Sequence, residues 1–436
     1  MENYVTGTDK ISDLPDDSLT HILSYLSTRE AVQTCIFSKR WRSTWTSLPV
    51  LRFDYGNFVP EATKRKHKES MVKFVKFVRG VLQNRERLLS LDTFEFCGHA
   101  PQDPCYCADL FSSECILLAL KFNPLAFSVC ACRQVILDCI EPIFTCASLE
   151  SISLECASVS PDAKFLDLTA VNLPHLKLLE LHSANVDDNF FKILFSGCPV
   201  LEELKLCYCI LHASLLSSEV LTSLVLKCCS FQNKLVISTP NLVHIDIYHA
   251  QSDGVRLSME TMTSLRAAHI QCLTVHVNDT VKCSKGLLNL HVSSTFGISA
   301  HTLKSDQRKV TRNGFPNCSN FKNLTSLQLG CSDLSHLFNS IPLFLHKSPN
   351  LEKLSLQVFP KNIWLNTKEK SIEEEWRDAK SKYEIWRDAL LQLKHLEVVE
   401  IVNCNERMEI VNKLVEELSS FLKSTEIKIV NVQTSK

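Results

Sequence analysis

Leu201-Glu202-Glu203-Leu204-Lys205-Leu206 and Leu221-Thr222-Ser223-Leu224-Val225-Leu226 carry one phrase, Leu-x-x-Leu-x-Leu. Its recurrence decides how most of the chain folds. The same phrase, with some aliphatic or alanine replacements, stands at Leu149/Ile152/Leu154, Leu176/Leu179/Leu181, Leu242/Ile245/Ile247, Leu265/Ala268/Ile270 and Leu287/Leu290/Val292. Starting positions 149, 176, 201, 221, 242, 265 and 287 lie 27, 25, 20, 21, 23 and 22 residues apart. A unit this short holds one strand and a brief return, and cannot bury its apolar face alone; neighbours must stack into a continuous core. An ordinary α/β domain needs a crossover of a dozen or more residues, usually a full helix, between parallel strands, and these intervals leave little room for one.

The spacing and phrase are a leucine-rich-repeat signature, in which Cys209 and Cys229 fill the Asn/Cys position three residues after the last leucine. Irregular copies are expected on either side, at Leu91/Phe94/Phe96, Cys132/Val135/Leu137, Leu324/Leu327/Leu329, Leu351/Leu354/Leu356 and Leu396/Val399/Ile401, with inserted loops in the longer gaps. Residues between the repeat leucines alternate to the opposite side of a strand. The concave face of a horseshoe-shaped solenoid is therefore expected to carry Glu180, His182, Glu203, Lys205, Lys227, His244, Asp246, Tyr248, His269, Gln271, His291 and Ser293. The four histidines among them have the chemistry of a pH-sensitive or metal-binding ladder, but polar strand positions are ordinarily just solvated, so they serve here as a map of a polar binding face.

Ahead of the repeats, Asp13-Leu14-Pro15-Asp16-Asp17 reads as a helix start, with Pro15 suited to the first helical position and two carboxylates in the first turn. Leu19, Ile22, Leu23 and Leu26 follow at i, i+3, i+4 and i+7, one apolar stripe. Ser27 and Glu30 have capping-box spacing, opening a second helix near Thr28 whose stripe is Ala31, Val32, Cys35 and Ile36. Trp41, Trp45 and Leu48 mark a third short helix that Pro49 ends. Three helices in about forty residues bury little by themselves and need a partner or a larger body.

The order Leu-Pro, Ile-Leu-x-x-Leu, Ala-Val and Ser38-Lys39-Arg40-Trp41-Arg42-x-x-Trp45-x-x-Leu48-Pro49 resembles the plant-type F-box over residues 9–52. That resemblance implies docking of a Skp-type adaptor and, through it, a cullin, in a ubiquitin ligase complex. Carried over residue by residue, it assigns adaptor binding to Leu14, Pro15, Ile22, Leu23, Leu26, Val32 and Trp41, some of which are expected to face the bundle's own core. An F-box followed by degenerate repeats is similar to the plant F-box/leucine-rich-repeat group. The tail, from Leu390 through the amphipathic stretch Met408 to Leu422 and on to Glu426-Ile427-Lys428-Ile429, resembles the FBD-type tail of that group, without the proline-cysteine signature often ahead of its first strand. A terminal repeat of this kind would cap the last open edge.

The expected fold class is thus α/β: a three-helix F-box (9–52), a basic amphipathic linker helix (53–90), a leucine-rich-repeat solenoid (91–360), and a charged insertion with an FBD-like cap (361–436). The implied role is substrate recognition, with the repeats binding a target protein for ubiquitination. The alternative is a repeat scaffold or ligand-binding protein acting without ubiquitin transfer.

Composition agrees with an interaction protein. A formal net charge of −1 and 22% charged residues give no global pull toward nucleic acid or membrane. Neither an h-region ahead of Ser12 nor a 20-residue apolar run is present, which points to a cytoplasmic and/or nuclear location. The 20 cysteines are then expected to be mostly reduced thiols. The best metal candidate, Cys97, His99, Cys105 and Cys107, matches no structural zinc spacing, so no metal or cofactor is expected. Phosphate-loop, dinucleotide, zinc-protease and nucleophile-elbow motifs are all missing, which argues against an enzyme. The run Lys64-Arg65-Lys66-His67-Lys68 leads a helix with one buried face (Met71, Phe74, Val75, Val78, Val81, Leu82) and reads as a solvated face before an import signal. The charged stretch Lys368 to Asp388, with Trp376 and Trp386, is expected to form a helical insertion or exposed loop.

Overall fold

The computed structural model describes residues 11, 14–59, 67–98, 110–156, 168–233, 235–250, 257–260, 264–272, 275–276, 289–294, 298–299, 321–331, 341–342, 344–358, 373–374, 376–377, 383–404 and 408–432. The chain divides into two compact units, Met1–Asn185 with Lys192–Leu201, and Val186–Phe191 with Glu202–Lys436. Both mix helices with parallel strands.

The first unit opens with α1 (Asp16–Leu23), α2 (Thr28–Gln33) and α3 (Trp41–Thr44), the last running into a single turn at Trp45–Ser47. Pro15 is the N-cap of α1 rather than its first residue, and Asp16 and Asp17 occupy the first turn, where the dipole favours their charge. The capping box at α2 forms: the Glu30 amide donates to Ser27 Oγ, and the Ser27 amide donates to the Glu30 carboxylate at 3.0 Å. Hydrogen bonds from the Ser27 side chain and backbone hold the Glu30 carboxyl below its usual value. The stripe on α1 splits in two. Leu19 and Leu23 are buried at 0% and 1% exposure, while the helix stops at Leu23 and leaves Ile22 and Leu26 outside the core.

A strand follows at once. β1 (Val50–Asp54) pairs in parallel with β2 (Thr93–Cys97), which pairs with β3 (Ala126–Ala131), then β4 (Ser151–Cys156) and β5 (Leu178–His182). Leu51, Phe94, Phe127, Ile152 and Leu179 align across this ladder, and each is 1% exposed or less. Two expectations change here. The reading placed no strand at 50–54, although Leu48, Leu51 and Phe53 repeat the buried phrase. Cys132/Val135/Leu137 is not a strand: Cys132 is the N-cap of a helix, Arg133–Phe144, whose buried Val135, Ile136, Cys139, Ile140 and Ile143 follow helical spacing. The strand of that repeat lies upstream, at Pro124-x-x-Phe127-x-Val129, where aromatic and β-branched residues replace leucine.

The basic linker helix is α4 (His67–Asn84), with Met71, Phe74, Val75, Val78, Val81 and Leu82 buried as the period requires. Lys64, Arg65 and Lys66 lie outside the described residues. Just past α4, Arg85 is 3% exposed and sits 5.5 Å over the Phe122 ring. Its guanidinium donates to the carbonyls of Leu48 and Ser90, which ties the end of the helical segment to the first strands. Burial lowers its pKa.

The second unit repeats one motif. Strands β6 (Glu203–Cys207), β7 (Ser223–Lys227), β8 (His244–Ala250), β9 (Ala267–Cys272), β10 (Asn289–Ser294), β11 (Ser326–Cys331), β12 (Lys353–Val358), β13 (Val398–Cys404) and β14 (Glu426–Val432) each pair in parallel with the next. Leu204, Leu224, Ile245, Leu327, Leu354 and Val399 are fully buried along one row. Where repeats are shortest, the return segments are extended: Leu215–Ser217, Leu235–Ser238 and Leu257–Glu260 form their own parallel ladder. Tyr208 and Cys228, each just after a repeat strand, turn the chain with φ of 55° and 53°. Behind them Cys209 and Cys229 are buried, and the Cys229 thiol donates to the Leu206 carbonyl of the preceding repeat at 3.1 Å. Its hydrogen bond with Cys209, together with burial, pushes that thiol's pKa well up.

At the C-terminal side, helix Tyr383–Leu391 falls in the charged stretch, where Trp376 is half-buried; the side chain of Trp386 lies outside the described residues. Helix Met408–Phe421 buries Val411, Leu414 and Leu418 completely, between β13 and β14 in sequence, in the expected strand, helix, strand order. β14 keeps Ile429 and Val430 about two-fifths exposed.

Candidate functional site

Two kinds of surface stand out: the helical segment of the first unit, and the polar side of the strands, described for each unit by itself. In the first, the helices around α1 and α2 leave large apolar side chains in water. Ile22 is 43% and Leu26 36% exposed, Pro15 is exposed, and Leu14 and Val32 are half-buried. Leu23 and Trp41, also expected as adaptor contacts, are instead 1% and 7% exposed. They are packed among the helices' own core residues, because Leu23 follows Leu19 at i+4 on the inner face. Three larger exposed groups were not anticipated: Tyr25 at 75%, Ile36 at 79% and Phe37 at 72%. The available signal was the position of Ile36 and Phe37 just ahead of Ser38-Lys39-Arg40-Trp41, where α2 has ended in a single 3-10 turn and no longer buries its stripe.

These groups are held in place. The Tyr25 ring meets the His21 ring edge-on at 5.1 Å, and Phe37 meets Trp41 edge-on at 6.4 Å. Arg40 and Asp16 form an ion pair at 2.7 Å that links α3 to α1. Full burial of such a side chain is worth roughly 1.5–3 kcal/mol, so covering these partly exposed ones contributes a fraction of that each, and together they form an exposed apolar patch.

The second surface is the polar side of the strands. In the first unit, Arg52, Glu95, Ser128, Ser153 and Glu180 fall in one row across β1 to β5, and Asp54, Cys97, Cys130, Glu155 and His182 in the next. Glu180 and His182 share a 2.7 Å hydrogen bond along their strand. In the second unit the central row runs Lys205, Val225, Asp246, His269, His291, Gln328, Ser355, Glu400 and Lys428. The last four arise from repeats recognised in the sequence, but the face map stopped short of them. Lys205 pairs with Glu203 at 3.1 Å, and Glu400 accepts from Lys353 at 2.8 Å and from Ser355 at 3.0 Å. Partial burial pushes the Glu400 carboxyl up, but those hydrogen bonds and nearby lysines outweigh it and leave the pKa lowered.

Each face residue expected from the sequence lies on a strand at the expected position. Lys227 and His244 are exposed; Glu180, His182, Glu203, Lys205, Asp246 and His269 are half-buried; the side chains of Tyr248, Gln271, His291 and Ser293 lie outside the described residues. Within the second unit, only His269 and His291 are register partners, since His244 stands opposite Ala267. Burial lowers the His269 pKa, partly offset by Asp246 4.0 Å away. Of the zinc candidate, His99, Cys105 and Cys107 lie outside the described residues, and Cys97 stands opposite Cys130 on the next strand. The face offers closely spaced hydrogen-bonding groups of both signs, a chemistry suited to an irregular polypeptide surface. Among the described residues no helix is long and apolar enough to cross a membrane.

Comparison with known families gives two matches. Residues 11–53 match the F-box domain, and residues 121–276 match the family described as "FBD-associated F-box protein At5g56370, LRR repeats". Similar proteins from Arabidopsis thaliana include the putative F-box/LRR-repeat protein At5g02930, 27% identical over 62% of this chain and 53% of that protein. F-box/LRR-repeat protein At3g59210 is 32% identical over 55% of this chain and 49% of its own length. The chain thus spans about half the length of these relatives. The putative F-box/FBD/LRR-repeat protein At5g44950 is matched almost end to end, at 26% identity over 94% of this chain and 96% of that protein. An F-box is in general a module that binds a Skp-type adaptor. With an F-box at one end and FBD-associated repeats after it, this is a plant-type F-box/leucine-rich-repeat protein.

Proposed function

We propose that this protein is the substrate-recognition subunit of a Skp-cullin-F-box ubiquitin ligase. Its helical segment, a three-helix F-box, docks the adaptor through Leu14, Pro15, Ile22, Leu26 and Val32, with Tyr25, Ile36 and Phe37 added to that surface. The repeats form a horseshoe solenoid closed by an FBD-like cap, and its polar strand face holds a target protein for ubiquitination. The chain itself is non-catalytic and works in the cytoplasm, the nucleus or both. The observation that carries the reading is the exposure of five large apolar side chains within residues 22–37, beside repeat-phrase leucines such as Leu204, Leu206, Leu224 and Leu226 that are fully buried.

Affinity purification of the intact chain and of the Leu14→Ala/Pro15→Ala variant from matched cells tests it. Adaptor and cullin should accompany only the intact chain, and proteins retained by both forms are target candidates. If neither form brings down an adaptor, the reading fails and a repeat scaffold without ubiquitin transfer takes its place.

A further inference from the structure

Among the registers of the described strands, one pair of neighbours consists of two cysteines: Cys97, the last residue of β2, stands directly opposite Cys130 on β3. Both project to the polar side of the ladder, because Phe96 and Val129 beside them are buried at 2% and 1%. Both are half-buried thiols, unlike Cys115, Cys139 and Cys198, which are sealed in apolar surroundings. The two sulfurs are within hydrogen-bonding reach of each other, with the Glu155 carboxylate on the far side of Cys130. That contact, burial and Glu155 together push the Cys130 pKa up. Asp54 and Glu155 bound the row on either side, and Gly98 donates its amide to the Cys130 carbonyl at 2.9 Å, which fixes the end of β2 against β3.

We propose that Cys97 and Cys130 are a reversible redox pair that closes into a disulfide on the polar strand face. In-register neighbours of a sheet bring two α-carbons within the span a disulfide bridges. With a peroxide as oxidant, the Cys97 thiolate attacks the peroxide oxygen, giving a sulfenic acid and releasing water. The Cys130 sulfur then displaces the hydroxyl as a second water, forming the S–S bond. Two thiols lose two electrons and two protons in total, and the peroxide is reduced to two waters. A bond between these two half-buried residues is partly accessible, which places it with the labile, reducible disulfides. The buried Cys209 and Cys229 also share a hydrogen bond, but at 1% and 0% exposure they are closed to an oxidant.

The test uses the full chain, reduced, freed of reductant and treated with a small excess of hydrogen peroxide; remaining thiols are alkylated and a non-reducing digest is read by mass spectrometry. The expected result is a Cys97–Cys130 linked peptide appearing before any other link, with loss of two alkylatable thiols per chain, and full recovery with dithiothreitol. In Cys97→Ser and, separately, in Cys130→Ser, the link is lost and the remaining partner is over-oxidised, while circular dichroism stays unchanged. Linkage spread at random over the 20 cysteines, or over-oxidation of both residues in the intact chain with no link, overturns the proposal.

Discussion

The F-box segment and the repeat strands use the same apolar side chains and treat them in opposite ways. In the strands, Leu204, Leu206, Leu224 and Leu226 are at 0% exposure, and Leu224 and Leu226 lie between their counterparts in the repeats before and after. In the helical segment, Ile22, Tyr25, Leu26, Ile36 and Phe37 remain between 36% and 79% exposed. The difference follows from how each is completed. A repeat strand finds its partner in the same chain about 20 to 27 residues away, so its burial is intramolecular and contributes to folding. A helical segment of some forty residues spends its few inner residues, Leu19, Leu23, Ala31 and Trp41, on its own core, and its outer ones have no partner within that small bundle. One region stores its hydrophobic free energy as stability; in the other it is not realised within the chain itself and, on the proposed function, is released by association.

The sharpest way to break this comparison is to make equivalent truncations in both regions. Ile22→Ala with Leu26→Ala should weaken adaptor binding by roughly tenfold or more, since each side chain has about two-fifths of its surface left to cover, out of roughly 1.5–3 kcal/mol for full burial. The same double change should leave the unfolding free energy within about 0.5 kcal/mol of the parent in urea titration. Leu224→Ala should do the reverse, lowering stability by about 2–5 kcal/mol, with adaptor affinity unaffected at temperatures where the variant is folded. Next in size is Arg85→Met, which strips the Leu48 and Ser90 carbonyls of a buried donor and should cost about 1–3 kcal/mol. A neutral result in thermal unfolding would mean that the guanidinium's desolvation cancels its hydrogen bonds.

Smaller effects sharpen the picture of the strands. Tyr208 is half exposed and adopts φ of 55°, so Tyr208→Gly should raise stability by up to about 1 kcal/mol, checked by the urea midpoint. For His269 the folded pKa lies below the unfolded value of 6.5, so the unfolded state binds more protons. Its contribution is complete above pH 6.5 and is lost as pH falls through the lower folded value. His269→Gln should therefore flatten the decline in melting temperature between about pH 7 and pH 5. An unchanged slope would assign that decline to other groups.

Much of the fold was legible because burial in a repeat leaves a period. Leu179, Leu204, Leu224 and Ile245 could be read directly, since the same aliphatic position recurs at 20 to 25 residues. Reading failed where the inner row changed character. In the first unit the inner side of the strands carries Phe53, Phe94 and Phe127, whose ring centroids lie 5.1 to 6.0 Å from one another in succession, so the strand at 126–131 was displaced onto the aliphatic helix that follows it. The strand at 50–54 was hidden by the helix that runs into it. The candidate surfaces were legible as positions, not as exposures. The motif could point to Ile22 and Leu23 together, but only helix geometry separates them, one turned to water and the other to the core. The Cys97 and Cys130 pairing was invisible in one dimension, because 33 residues separate two side chains that the sheet sets side by side.

The central claim is that the exposed apolar groups of the helical segment are a reserved docking surface. Isothermal titration of a purified Skp-type adaptor into the full chain, and into the Ile22→Ala/Leu26→Ala variant verified as folded by its unchanged unfolding transition, tests it most directly. Saturable binding to the parent, weakened roughly tenfold or more in the variant, is the expected result. Equal affinity for both chains, or no binding to the parent, would contradict it.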